Sequence, residues 1–348
     1  MATGFVAIDA SASVRDWSPL LYWAVAQSRA LRLSSLVAVV VAGEVAIEVP
    51  VEVAVEVAVE APVDASEAIA AAYSVAAAAA FDAAQPLFCA RVLVAAFSDV
   101  GAAVCEAADG TVLEDAARPR PAFLAYLNAF RTEAGLRPFA REDVAIAPPH
   151  TSALPPTASA AATPVKFIPA DASTSAVPHE CNTVVLGGTF DHLHHGHLIL
   201  LSTAAMLAKQ TLICGVYDFA NSPHRLERKA HWTHMEPLSS RIAAVQTFLR
   251  LFKPALNYRV EGILDDFGPT RTEADMDAIV ASAETETGCM AVNALRKENG
   301  LPLLDVYVIG VVGNPDLHSS SGVGDKISSS YLRAWISEHE PDGKPNAS

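Results

Sequence analysis

Four histidines fall within six residues, His192, His194, His195 and His197, directly behind the turn Gly187-Gly188-Thr189-Phe190-Asp191. Imidazoles at that density suit metal binding, contact with an anionic ligand, or a solvated turn. The two glycines let the backbone come close to a ligand, and Thr189 adds a hydroxyl and an N–H. His194 and His197 are three residues apart, so at the entrance of a helix they share one face. Gly196 between them leaves room for a phosphate group, and a helix N-terminus adds N–H donors and the positive end of its dipole. A zinc site finds less support: Asp191 is the only carboxylate close by, and no cysteine stands at zinc spacing.

A second run of donors, Lys326-Ile327-Ser328-Ser329-Ser330-Tyr331-Leu332-Arg333, follows a polar, Gly-rich loop. Consecutive serines at a helix start offer hydroxyls and backbone N–H groups aimed at one point, with Arg333 one turn further on. A serine run by itself caps an ordinary helix. Paired with the histidine motif at the other end of one α/β domain, it reads as half of a clamp on a polyphosphate.

Such a clamp needs a scaffold, and residues 181–340 alternate in a way that supplies one. Strand-like runs at 183–186, 212–217, 258–264, 278–282 and 306–312 are separated by helix-like runs at 196–208, 238–252, 285–298 and 328–336. Strand and helix in alternation predict an α/β fold, a Rossmann-like doubly wound parallel sheet whose ligands sit beyond the carboxyl ends of the strands. Asp218, Arg241 and the 282–288 segment also fall near strand ends. They read first as solvated or capping groups.

Ahead of that domain, residues 147–180 shift to Pro, Ala, Ser and Thr and read as a linker. Residues 1–146 read as a smaller α/β accessory domain of unknown role, and 341–348 as a tail. Within the accessory domain, 45–59 has a period of two, with Glu48, Glu52, Glu56 and Glu60 as gatekeepers against aggregation. Helix-favouring residues follow at 65–80, a strand at 91–97 and an amphipathic helix at 122–134.

The formal charge of −15 over 348 residues argues against nucleic acid as a partner, because phosphate neutralisation needs clustered cations. Cys89, Cys105, Cys181, Cys214 and Cys289 are scattered and odd in number, as reduced thiols are. No apolar run approaches the ~18 residues of a membrane span, and no secretory leader pattern opens the chain. These features predict a soluble cytoplasmic protein with no membrane partner.

The H-x-G-H signature with a distal I-S-S-S-x-x-R resembles the nucleotidyltransferase superfamily. The order GGTFDHLHHGH, GVYD, SAETETG, VNALRKENGL, KISSSYLR is similar to the eukaryotic-type phosphopantetheine adenylyltransferases, over about residues 183–338. The resemblance implies transfer of an adenylyl group from ATP to 4′-phosphopantetheine, giving dephospho-coenzyme A and pyrophosphate, with Mg²⁺ carried mainly on the ATP phosphates. It implies that Thr189 contacts the acceptor phosphate and that His197 stabilises the transition state at the α-phosphorus. His194 would contact the ATP phosphates, within a loop formed by Gly187, Gly188, Phe190, Asp191 and Gly196. Lys326, Ser328, Ser329, Ser330 and Arg333 would hold the β- and γ-phosphates, Lys229 would bridge both substrates, and Arg296 would border the nucleotide. Many animal relatives fuse a dephospho-coenzyme A kinase to this domain. No G-x-x-x-x-G-K-[ST] loop occurs here, so the kinase is expected as a separate partner enzyme. Two alternatives compete: a cytidylyltransferase or dinucleotide-forming enzyme, although KISSS departs from the usual R-T-x-G-x-S-T, and a non-catalytic regulatory relative.

Overall fold

All five strands expected in the second half are formed, and their order fixes where a ligand can lie. The computed structural model describes residues 2–9, 33–41, 90–94, 98, 100–107, 110–115, 121–147, 165–170, 181–309 and 328–339, with single positions between 20 and 28 and between 69 and 76. The first half contributes β1 (Ala2–Asp9), β2 (Leu33–Val41), β3 (Ala90–Val94), α1 (Val100–Glu106), β4 (Gly110–Asp115), α2 (Pro121–Glu133) and β5 (Val144–Ala147). The second contributes β6 (Lys166–Ile168), β7 (Cys181–Gly188), α3 (His195–Leu207), β8 (Ala208–Tyr217), α4 (Pro223–Glu227), α5 (Leu238–Phe252), β9 (Asn257–Ile263), β10 (Ala278–Ser282), α6 (Glu286–Glu298), β11 (Asp305–Ile309) and α7 (Ser329–His339).

Two sheets result, ordered β3-β2-β1-β4-β5 and β6-β11-β10-β7-β8-β9. Among the described residues every pairing is parallel except that of β6 with β11. Central strands of such sheets are covered on both faces, and Val184, Val185 and Leu186 of β7 are accordingly all buried. Helix α5 is one-sided, burying Val245, Phe248, Leu249 and Phe252 at helical spacing. Helix α3 differs. Its sequence HGHLILLSTAAML carries no Asp, Glu, Lys or Arg and buries residues on every side. A helix apolar all round needs cover from two directions. The sheet gives one, and the first half gives the other: a single hydrophobic cluster runs from Phe5, Leu36 and Leu93 through to Leu198, Leu201, Phe248 and Phe252.

Among its described residues, the stretch read as a linker holds one strand. Residues 166–168 pair with β11 through Val306–Ile168 and Val308–Lys166, and Phe167 packs on Tyr307 with ring centroids 4.8 Å apart. Three residues inside a Pro/Ala/Ser/Thr run give no periodicity to read, so this edge strand is invisible in composition. Its Lys166 is tied to Glu286 at 2.6 Å. The Val/Glu repeat at 45–59 and the tail at 341–348 lie outside the described residues.

Candidate nucleotide site

The second sheet changes direction at β7, which has β8 on one side and β10 on the other, so the crevice of a doubly wound fold opens beyond the end of β7. That end is Gly187-Gly188. A Cβ on Gly188 would stand 3.1 Å from the Phe190 ring, so glycine there lets the chain double back on itself. The turn that follows is strained. Phe190 (φ 50°), His192 (φ 45°) and His231 (φ 52°) are the only non-glycine residues with positive φ among those described. Strain of this kind, about 1–3 kcal/mol per residue, persists where surrounding bonds over-determine the backbone.

Those bonds centre on Asp191. Its carboxylate is fully buried, accepts the Glu236 N–H at 2.8 Å and pairs with the Arg333 guanidinium. Its carbonyl accepts from the Ser329 hydroxyl at 2.8 Å. Arg333 is 1% exposed and also donates to the Ala230 carbonyl at 2.9 Å and to Ser330 Oγ at 3.2 Å. The glycine–histidine loop and the serine helix are thus locked together by one buried ion pair. Because Arg333 is committed to these partners, its expected place on the nucleotide phosphates is revised: it positions the two motifs. Ser328 Oγ accepts from the Tyr331 N–H at 3.3 Å and caps α7.

The histidines divide by direction. His194 and His197 stack face to face, centroids 3.9 Å apart and planes 25° from parallel, and His197 also packs on Phe190 at 5.3 Å. A Cβ on Gly196 would meet the His194 ring at 3.2 Å, so that residue sets the stack. Burial pushes His197 down to about 3, making it a neutral imidazole, and its Nδ1 has no hydrogen-bond partner. Among the described residues no three His, Cys, Asp or Glu side chains gather as a metal site. His192 turns away, its Nε2 2.7 Å from the His234 carbonyl. His195 turns the opposite way into the first half, where its Nε2 accepts the Ala90 N–H at 3.3 Å, and burial lowers it to about 4.

Histidines buried neutral make stability depend on pH. Both folded values lie below the ~6.5 of an unfolded chain, so their stabilisation is complete above about pH 6.5 and is lost as pH falls toward 4. For His195 alone this is worth on the order of 3 kcal/mol. Urea midpoints at pH 7.5, 6 and 5 should fall in that order, with His195→Gln flattening the decline. Equal wild-type midpoints at pH 7.5 and 5 would contradict the burial of these rings as neutral groups.

Of the other expected residues, Thr189 is half-buried in the turn, and Lys229 is exposed on the loop after α4, next to the Ala230 carbonyl that anchors Arg333. Lys326 lies outside the described residues. Arg296, expected beside the nucleotide, is fully buried and donates to the carbonyls of Pro302 (2.6 Å), Thr270 (2.8 Å) and Glu273 (2.8 Å). A guanidinium so committed holds loops together, which corrects that assignment. Arg241 reverses a second expectation: it is buried, not solvated, and bonds the carbonyls of Thr189 (2.7 Å), Tyr217 (3.0 Å) and Glu236 (3.0 Å). It joins the ends of β7 and β8 under the crevice, a role that its placement on an amphipathic helix did not reveal.

Rossmann-like order, a glycine turn running into a histidine helix and a serine helix locked beside it define a nucleotide-binding transferase fold. Residues 185–334 match the cytidylyltransferase-like family. The chain belongs to that family of nucleotidyltransferases. It is 36% identical over 155 residues to the phosphopantetheine adenylyltransferase of Methanopyrus kandleri, covering 90% of that protein and 44% of this chain. It is also 36% identical over 155 residues to the Saccharomyces cerevisiae phosphopantetheine adenylyltransferase, covering 48% of it and 44% of this chain. An uncharacterized protein of Schizosaccharomyces pombe is 36% identical over 162 residues, 50% of that protein and 46% of this chain. The chain therefore spans about half the length of these two yeast relatives and most of the archaeal one.

Proposed function

We propose that the chain transfers an adenylyl group from ATP to 4′-phosphopantetheine, releasing pyrophosphate. The observation that carries this reading is the lock between Asp191 and Arg333, which ties the turn leading into the His194–His197 stack to the start of α7. The names of the archaeal and yeast relatives supply the acceptor.

The acceptor phosphate is a nucleophile at neutral pH, so the reaction needs neither a general base nor a covalent intermediate. It needs in-line positioning and donors for the charge that builds on the α-phosphate. Thr189 suits the first task, since Arg241 fixes its backbone at the mouth of the crevice. His197 suits the second as a neutral donor, because a ring held in place by His194 and Phe190 needs little reorganisation when charge develops. In this reading His194 contacts the triphosphate, the Ser329 and Ser330 N–H groups at the start of α7 receive the terminal phosphates, and Lys229, exposed on its loop, bridges the two substrates. Of the two carboxylates at the turn, Asp191 is taken by Arg333 and Glu236 accepts the His192 N–H at 2.7 Å, so Mg²⁺ fits this site as an ion carried by the nucleotide phosphates rather than held in a carboxylate cage. Bound with the nucleotide, Mg²⁺ would lower the charge repulsion between nucleotide and acceptor. A kinase acting on the product, and a cytoplasmic setting, complete the reading.

Supplied with 4′-phosphopantetheine, the purified chain is expected to release pyrophosphate with ATP and at least ~10-fold more slowly with CTP. Release with CTP alone would replace this reading with a cytidylyltransferase.

A further inference from the structure

The two sheets share more than a class. Setting β6 aside, β9-β8-β7-β10-β11 repeats the order β3-β2-β1-β4-β5, with every pairing parallel in both. The helices before the last strand of each set, α2 and α6, both contain 13 residues. They end in the same pattern: Asn128-Ala129-x-Arg131-x-Glu133-x-Gly135-Leu136 and Asn293-Ala294-x-Arg296-x-Glu298-x-Gly300-Leu301.

The repeated residues do the same work in each half. Asn128 exchanges two hydrogen bonds with the Phe139 backbone, at 3.0 and 2.7 Å; Asn293 exchanges two with the Leu304 backbone, both at 2.9 Å. Arg131 Nε donates to the carbonyl six residues on, Arg137, at 2.6 Å, and Arg296 Nε to Pro302, also six on, at 2.6 Å. Their Nη1 atoms reach back to Ala107 and Val104 in one case and to Glu273 and Thr270 in the other. Gly135 and Gly300 both take φ 69° at the helix end, the left-handed cap that favours glycine. Chance convergence of an order, a motif and a bonding scheme at matching places is a poor account of this.

What the first half lacks is the site. Strand β1 ends on Asp9 and runs into Ala10-Ser11-Ala12-Ser13, where β7 runs through Gly187-Gly188 into the histidine motif, and residues 1–149 contain no histidine. It instead packs on the working half at the motif helix. The Ala90 N–H of β3 bonds His195 Nε2, the Tyr73 ring lies 6.0 Å from the His195 ring, and Ser98 Oγ donates to the Phe252 carbonyl of α5 at 2.6 Å. His195 opens α3 between the two stacked histidines, so fixing it fixes them.

We propose that residues 1–147 are a diverged, histidine-free second copy of the nucleotidyltransferase domain, which serves as a positioning domain by holding the His194–His197 helix through His195. This rests on the adenylyl-transfer reading only for its kinetic test. In the full chain, His195→Phe keeps a ring but removes the acceptor for the Ala90 N–H, whereas His195→Gln places a side-chain oxygen there. His195→Phe is expected to lower kcat about 10-fold with the KM for ATP within about 2-fold, and His195→Gln to recover most of the loss. Amide hydrogen exchange at residues 195–199 should quicken about 10-fold in His195→Phe and return toward wild type in His195→Gln; this readout needs no substrate. If His195→Phe does not fold, Ser98→Ala loosens the same interface from α5 and should quicken the same amides to a smaller degree. Unchanged exchange at residues 195–199 in a folded His195→Phe overturns the positioning role. An inactive wild type with the exchange pattern intact overturns the adenylyl-transfer reading and leaves this one standing.

Discussion

Replacing His197 with alanine is expected to cut kcat by about 100-fold or more while the KM for ATP rises only a few-fold. The half-buried ring is stacked between His194 and Phe190 and is neutral, so it offers little to a ground-state phosphate that water solvates as well. Its contribution grows only as charge builds on the α-phosphate, and an interaction made chiefly in the transition state appears in kcat. The fold should tolerate the change, because the stack sits at the mouth of the crevice and Asp191, not His197, ties the turn down. Since burial holds the ring at about 3, the kcat/KM profile of the free protein should show no His197 titration between about pH 5 and 8. A kcat within about 3-fold of wild type in His197→Ala would place the chemistry elsewhere.

The second large effect is on stability. Arg333→Met leaves the Asp191 carboxylate buried without its cation, a loss of about 3–5 kcal/mol in such sites. The same change frees the serine helix from the glycine–histidine turn, so activity should disappear along with the stability. Removing both charges, Asp191→Leu with Arg333→Met, is expected to regain more than half of the lost unfolding free energy without regaining turnover. Equilibrium urea unfolding of the three proteins separates these contributions. A single variant within about 1 kcal/mol of wild type would mean that the pair does not lock the motifs.

How much of this could be read in the sequence follows from the range of each interaction. Strand and helix alternation between 183 and 336 was legible because it is local, and α5 begins and ends on the residues that its pattern marks. The histidine and serine motifs were legible for the same reason. Their joining was not. Asp191 and Arg333 lie far apart in sequence, and each reads alone as a ligand contact. In the sequence Arg241 reads as a solvated charge and Arg296 as a nucleotide contact. Both are buried guanidiniums that satisfy several backbone carbonyls at once, a need that arises only when loops converge. The first half stayed silent because the residues it shares with the second, Asn128, Arg131 and Gly135, are scaffold residues, while those that would have named it are gone. The N-A-x-R-x-E-x-G-L pattern is nonetheless written in both halves, at 128–136 and 293–301.

The central claim is adenylyl transfer to phosphopantetheine at the locked pair of motifs, and the most direct measurement is the mass of the product that the full chain makes from ATP, 4′-phosphopantetheine and Mg²⁺. The expected result is dephospho-coenzyme A in amounts equal to the pyrophosphate released, absent in His197→Ala on the same timescale. ATP consumed without dephospho-coenzyme A, or the same yield from His197→Ala, would contradict it.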